Sequence, residues 1–214
     1  VGSEMCIRDS VEGVSAVVQH GAEFGVYHDY WVQGMSAVVP LGLQLKDLSG
    51  KPYLPKPLVI KGRRKRIGLR WNGNLMFEKD HNKLFPHELM FDAVKDLDAE
   101  FISLQRDEGA EYCPPWVKTV PLNTWDQTRE AVASCDLVIS ACTSVSHLAG
   151  AMGVETWVIL PVMPYFLYAL DGEKTPYYDS FKLFRQEVFN EWEAPFEKIR
   201  KELHANEPPL RIVK

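Results

Sequence analysis

The sequence predicts an α/β fold, a parallel sheet with helices on both faces. Three observations carry that prediction. From Ile67 onward, short apolar runs alternate with helix-length segments, which is the pattern of successive strand–helix–strand units. The runs at Leu137 to Ile139 and Thr156 to Leu160 are short enough for buried strands. Between them, LVISACTSVSHLAGAMGVETWVILP (Leu137 to Pro161) reads as a complete unit of strand, tight turn, helix, glycine stop and strand.

Taken in order, Val14 to Gln19 reads as a short strand, and Phe24 to Leu43 as a loop with a short helix. Lys51 to Pro57, KPYLPKP, holds three prolines in seven residues. That excludes a helix or a central strand and makes it a linker, placed as a hinge. Ile67 to Trp71 is the first strand of the regular region, followed by a polar loop over Asn72 to Leu84. Pro86 suits the first position of a helix, whose apolar face carries Leu89, Ala93 and Leu97 with Met90 and Val94. Phe101 to Gln105 is the next strand, and a short one follows near Val117 to Val120. Thr124 and Gln127 form a capping box that opens a helix to about Ser134. In the central unit Val145 to Met152 is the helix, with Leu148 and Met152 four apart, and Gly153 sits just past its end. Lys182 to Arg185 is a last strand, and Pro195 starts a final helix ending near His204.

Composition bounds the function. The chain has 214 residues, 46% hydrophobic and 25% charged, as in an ordinary globular protein. A net charge of −5 argues against nucleic acid as a main partner. The run KGRRKR at 61–66 is a local basic stretch. A solvated approach to the strand at Ile67 is its simplest reading, with a phosphate contact or a peripheral membrane contact as alternatives. No stretch reaches the ~20 apolar residues that span a bilayer. The four cysteines show no CxxC spacing; they suit a reducing cytosol and form no zinc site. The six histidines make no HxxxH pair. No metal and no cofactor is therefore expected, and a cytoplasmic location is.

The chemistry concentrates in loops that follow strands, where ligands of open α/β sheets sit. Cys142, Thr143, Ser144 and Val145 lie between a strand and a helix. Such a turn offers backbone N–H groups at the positive end of a helix, where an anion such as a diphosphate binds. His147 follows on the first helical turn; a histidine beside Leu148 there is either a packed core residue or one that shapes the site. Trp71, Asn72, Gly73 and Asn74 form a second loop, either a ligand contact or a simple turn. Lys83, with Lys79 competing, supplies positive charge on that loop, and Gln105 and Arg106 end the second strand.

TSVSHLAGAMG resembles the [ST]-x-x-x-H-[LI]-A-[GA]-A-x-G signature of the ADP-heptose:lipopolysaccharide heptosyltransferases and of the related glycosyltransferases linked to tetratricopeptide repeats. IGLRWNGN, ISLQ, CDLVIS and PYYDSFKLFRQ fall in the same order as in those relatives, and the likeness covers about Phe24 to Leu203. The resemblance implies the GT-B architecture, two Rossmann-like domains facing across a cleft with the donor held by the second. Residues 58–214 are then the C-terminal nucleotide-sugar-binding domain, and 11–57 the tail of the N-terminal domain with its linker. Residues 1–10, VGSEMCIRDS, resemble the translated remnant of a sequencing adaptor and stand outside the fold.

By the same resemblance the substrate is a nucleotide-diphosphate sugar, and the acceptor a glycan, lipid or protein hydroxyl. Lys83 contacts the diphosphate, and Gln105 lies near the nucleoside. The base that deprotonates the acceptor belongs to the N-terminal domain; His28 and Asp29 are the candidates within this chain. The chain departs from the pattern at two places. Cys142 stands where heptosyltransferases have a sugar-contacting Asp, and Glu155 where relatives often have Pro. The first departure weakens an assignment to heptose and keeps two alternatives open, a non-catalytic nucleotide-sugar-binding module and a GT-B-shaped epimerase.

Overall fold

A computed structural model describes residues 13–15, 29–33, 36–59, 62, 64–73, 84–106, 108–168 and 170–205. Six strands form one sheet: β1 (Arg66–Arg70), β2 (Glu100–Ser103), β3 (Lys118–Thr119), β4 (Leu137–Ala141), β5 (Thr156–Leu160) and β6 (Phe181–Arg185). Their order is β3-β2-β1-β4-β5-β6, and every pairing is parallel. The chain is thus α/β with a Rossmann-like sheet. β1 is central, with Ile67 opposite Phe101 on one side and Leu137 on the other. β4 and β5 are buried at every position, which their uninterrupted apolar runs foretell.

Alternation along the strands divides the core into two layers. Leu137, Ile139, Trp157, Ile159 and Phe184 face one side. There α1 (His87–Val94) and α4 (Glu193–Ala205) cover them with Met90, Val94, Phe196, Ile199 and Leu203. Val138, Ile102 and Leu104 face the other side, under α2 (Trp125–Ala133) and α3 (Ser144–Ala151) with Val132, Leu148 and Met152. Val158, Leu160, Phe181 and Leu183 extend that layer beneath Tyr168 and Tyr178.

The helix ends follow local chemistry, with small departures from expectation. Thr124 caps α2, its Oγ1 accepting from Gln127 N–H at 3.2 Å. The Gln127 side chain reaches back to Asn123 N–H at 2.8 Å, one residue earlier than the box predicts. α1 stops at Val94, a turn short of Leu97, whose N–H closes a tight turn onto Val94 O. Pro195 lies in the first turn of α4 and not at its start; the absent N–H costs nothing there, because first-turn donors have no helical acceptor. α3 ends as expected. Gly153 takes φ +69°, its N–H bonds Gly150 O and that of Val154 bonds Ala149 O, which is a Schellman closure.

The expected strand at 14–19 lies mostly outside the described residues, and Val14 and Ser15 carry no strand. The described arginines of the basic run are paired. Arg64 bonds Asp98, and Arg66 holds Glu100 through Nε and Nη2 at 3.0 and 2.8 Å.

Candidate functional site

The strand order reverses between β1 and β4, so the loops leaving their carboxyl ends part and open a crevice. A cleft of about 310 Å³ lies there. Its walls come from the loop after β1 (Trp71, Gly73), the turn after β4 (Cys142, Thr143, Ser144, with His147 behind) and the loop after β5 (Pro161, Tyr165). Six of the residues singled out in the sequence therefore meet in one cavity.

Trp71 and Asn72, which open the β1 loop, are held by hydrogen bonds to the loop after β2. Trp71 is fully buried, donates its indole N–H to Gly109 O at 2.8 Å and stands edge-on to Phe91 at 5.1 Å. Asn72 is buried, and its N–H donates to Gln105 Oε1 at 3.0 Å. Gln105 in turn donates through Nε2 to Glu108 O at 2.9 Å. Gln105 does not line the cleft; its side chain ties the loops after β1 and β2 together, with both ends of its amide committed.

The β4 turn has the electrostatics expected of an anion site. Thr143 is extended at φ −138°, and its side chain makes no capping bond. Its carbonyl takes the N–H groups of Ser146 and His147 at 3.1 and 3.4 Å. Among the described residues, the N–H groups of Ser144 and Val145 have no protein acceptor. They carry the positive end of the α3 dipole at the cleft mouth. Ser144 is exposed, whereas the Val145 side chain points away into the core with Leu148 and Met152.

Ser144 and Val145 also line a second, smaller cavity of about 80 Å³, with Arg70, Arg106, Trp125 and Thr128. Arg70 is only 6% exposed and donates through Nη1 to Leu104 O at 3.0 Å. Sequence reasoning passed over it; the signal was a lone cation ending the apolar strand IGLR.

His147 sits in an aromatic frame. Its ring is 5.9 Å from that of Tyr168 at 21°, and 5.8 Å from that of Tyr178 at 52°. Its Nε2 is 3.5 Å from the Tyr168 hydroxyl. Burial pushes the His147 pKa below the ordinary imidazole range. It also pushes Tyr168 and Tyr178 above the ordinary phenol range, with Cys142 adding to the rise at Tyr168. The imidazole is therefore neutral and the phenol protonated at neutral pH. The sequence did not single out Tyr168, and Tyr178 appeared only inside a matching block.

This environment makes stability depend on pH. The unfolded chain protonates His147 near pH 6.5, the folded chain only at lower pH. Between those values the unfolded state holds more protons, so stability is full above about pH 6.5 and is lost as pH falls through that window. The urea midpoint is expected to drop between about pH 7 and pH 5.5, and His147→Gln to flatten that part of the curve. An unchanged slope in the variant would refute the assignment.

Asp29 is exposed and does not line the cleft. His28, Asn74, Lys79 and Lys83 lie outside the described residues. Among the described residues no group of three potential metal ligands converges, and no helix is long and apolar enough to cross a membrane. Comparisons with protein-family models, with curated proteins and with solved structures found no match.

Proposed function

We propose that this chain is the donor-binding part of a metal-independent GT-B glycosyltransferase, and that its cleft takes a nucleotide-diphosphate sugar. The observation that carries the reading is the pair of acceptor-free N–H groups, Ser144 and Val145, at the head of α3, set where the strand order reverses. A diphosphate at Ser144 would reach both cavities, because Ser144 lines each. The 310 Å³ cleft suits the sugar, and Arg70 and Arg106 add positive charge on the other side.

In the transfer, the acceptor oxygen bonds the sugar's anomeric carbon as the bond to the β-phosphate oxygen breaks. The acceptor's proton passes to a base that the resemblance assigns to the other domain of the pair. Negative charge grows on the departing diphosphate, and fixed N–H dipoles with nearby cations stabilise it without reorganising. Lys83 is the further cation proposed for this task. His147, neutral and held against Tyr168, serves as a hydrogen-bonding wall of the cleft and not as the base. The resemblance of the HLAGA segment supports a sugar donor in particular; Cys142 in the cleft, where relatives carry Asp, favours a sugar other than heptose.

Calorimetry of the full chain with UDP, ADP and GDP in EDTA tests the reading. Saturable heat with at least one of them is expected. No heat from any at millimolar concentration, in a protein that melts cooperatively, overturns it.

A further inference from the structure

One side chain clamps the loop that leaves β5. The parallel pairing of β5 with β6 sets Arg185 opposite Leu160, the last residue before that loop. The Arg185 guanidinium donates to three backbone carbonyls of the loop. Nη1 meets Tyr168 O at 3.0 Å, Nη2 meets Leu170 O at 2.6 Å and Nε meets Gly172 O at 2.8 Å. A guanidinium holds five N–H donors in a fixed planar fork, which suits three fixed acceptors. An ammonium is a compact point charge on a flexible stem and does not reproduce that fork. Other bonds fasten the two ends of the loop. Val162 N–H donates to Gln186 Oε1 at 3.3 Å, and Thr175 Oγ1 donates to Leu167 O at 3.2 Å. Leu183 N–H, on the outer side of β6, donates to Glu173 O at 2.9 Å.

The clamped loop is a wall of the cleft. Pro161 and Tyr165 line the cavity, and Tyr168 N–H closes a turn onto Tyr165 O at 2.8 Å. Tyr168 is 1% exposed. Its ring lies nearly parallel to that of Phe181, at 6.5 Å and 16°, as it does to that of His147. Its hydroxyl is the group that meets His147 Nε2, and His147 itself lines the cleft. One residue is thus held at both ends, its carbonyl by Arg185 and its hydroxyl against the imidazole.

We propose that Arg185 is the positioning residue of this wall: by holding the carbonyls at 168, 170 and 172 it fixes the Tyr168 ring, and through it His147, and so shapes the space open to the sugar of a nucleotide-diphosphate donor. Arg185 touches the loop and not the ligand. The sugar's place rests on the cleft being the nucleotide-sugar site; the ring's place does not.

The test uses the full chain. Arg185→Met removes the donors, and Arg185→Lys keeps the charge but loses the fork. Arg200→Met, at an exposed arginine of α4, is the control for lost charge. The readout is the nitrogen-15 and proton spectrum of the His147 imidazole, titrated with pH. A residue that only stabilised the fold would lower the melting temperature and leave that midpoint where it is. In both Arg185 variants the ring signals are expected to move and the midpoint to rise toward the ordinary value, as Tyr168 loosens over the imidazole. In Arg200→Met they stay put. In a Tyr168→Phe background the effect of Arg185→Met should shrink to less than about half, because the two residues act in series. A His147 midpoint unchanged in both Arg185 variants overturns the proposal, and so does a shift of equal size with and without the Tyr168 hydroxyl. Calorimetry then compares UDP and ADP with their glucose conjugates. Arg185→Lys should weaken the conjugate about fivefold more than the bare nucleotide, in the range for residues that act through others. Equal weakening of the two overturns the role toward the sugar. If wild type binds neither nucleotide, the functional reading fails, while the imidazole titration still decides the clamp.

Discussion

Replacing Ser144 with aspartate is expected to weaken nucleotide binding about 30-fold or more and leave the fold as stable as before, or slightly more so. Ser144 is the first residue of α3 and is exposed, so the substitution disturbs no core packing. A carboxylate in the first turn interacts favourably with the helix dipole, by roughly 0.3–1 kcal/mol. The same carboxylate occupies the place proposed for the diphosphate. Two like charges ~4 Å apart near a protein surface repel by up to about 4 kcal/mol at an effective dielectric constant of 20. A conservative half of that is ~30-fold in affinity. Ser144→Ala is the companion: the backbone N–H is unchanged, so affinity should stay within about threefold, or ~0.7 kcal/mol. Calorimetry with the best of UDP, ADP and GDP, beside urea denaturation, gives both readings. Nucleotide binding undiminished in Ser144→Asp would place the phosphates away from this turn.

The fold was legible wherever the signal is local. β4, α3 and β5 could be read as one unit because an apolar run, a capping turn, a helical spacing and a positive-φ glycine fall within 25 consecutive residues. Part of the candidate cleft was legible in the same way. The turn at 142–144 and the loop at 71–73 were identifiable because small and polar residues directly follow apolar strands, and both line the cleft. Gln105 shows the limit. A glutamine at the end of a strand looks available to a ligand, but its partner Asn72 is 33 positions away, and only the parallel pairing of β1 with β2 brings the two loops together. The frame around His147 has the same character, since Tyr168 is 21 positions on and comes from a short 3-10 helix that no period announces. The docking of Tyr53 and Leu54 on the end of α3, where both N–H groups meet Ala151 O, was hidden for a different reason. Prolines declare that a segment is extended, and say nothing about which carbonyls its free N–H groups will find.

Gly150 separates what in the HLAGA segment is packing from what is ligand chemistry. A glycine inside a helix costs about 1 kcal/mol relative to alanine, so its presence in α3 calls for a cause. The cause is aromatic. A Cβ at Gly150 would lie 2.5 Å from Phe181 Cε1, and 2.6 and 2.7 Å from Tyr178 Cγ and Cδ1. Phe181 is fully buried and Tyr178 nearly so, and neither ring can withdraw without opening the layer beneath Tyr168. Gly150→Val puts a branched side chain into that contact. Overpacking of this kind costs about 1–3 kcal/mol for small insertions, and a β-branched group against two rings falls at or above the upper end. The expected loss is ~3 kcal/mol or more, seen as a melting temperature lower by roughly 6–12 °C at this chain length. Gly150→Ala should lose less, because its better helix propensity returns about 1 kcal/mol. Phe181→Leu shortens the ring edge that meets the new methyl, so Gly150→Ala combined with Phe181→Leu should cost less than the sum of the two, by at least 0.5 kcal/mol. Strict additivity would show that the methyl finds space elsewhere and that Gly150 serves something other than the aromatic layer.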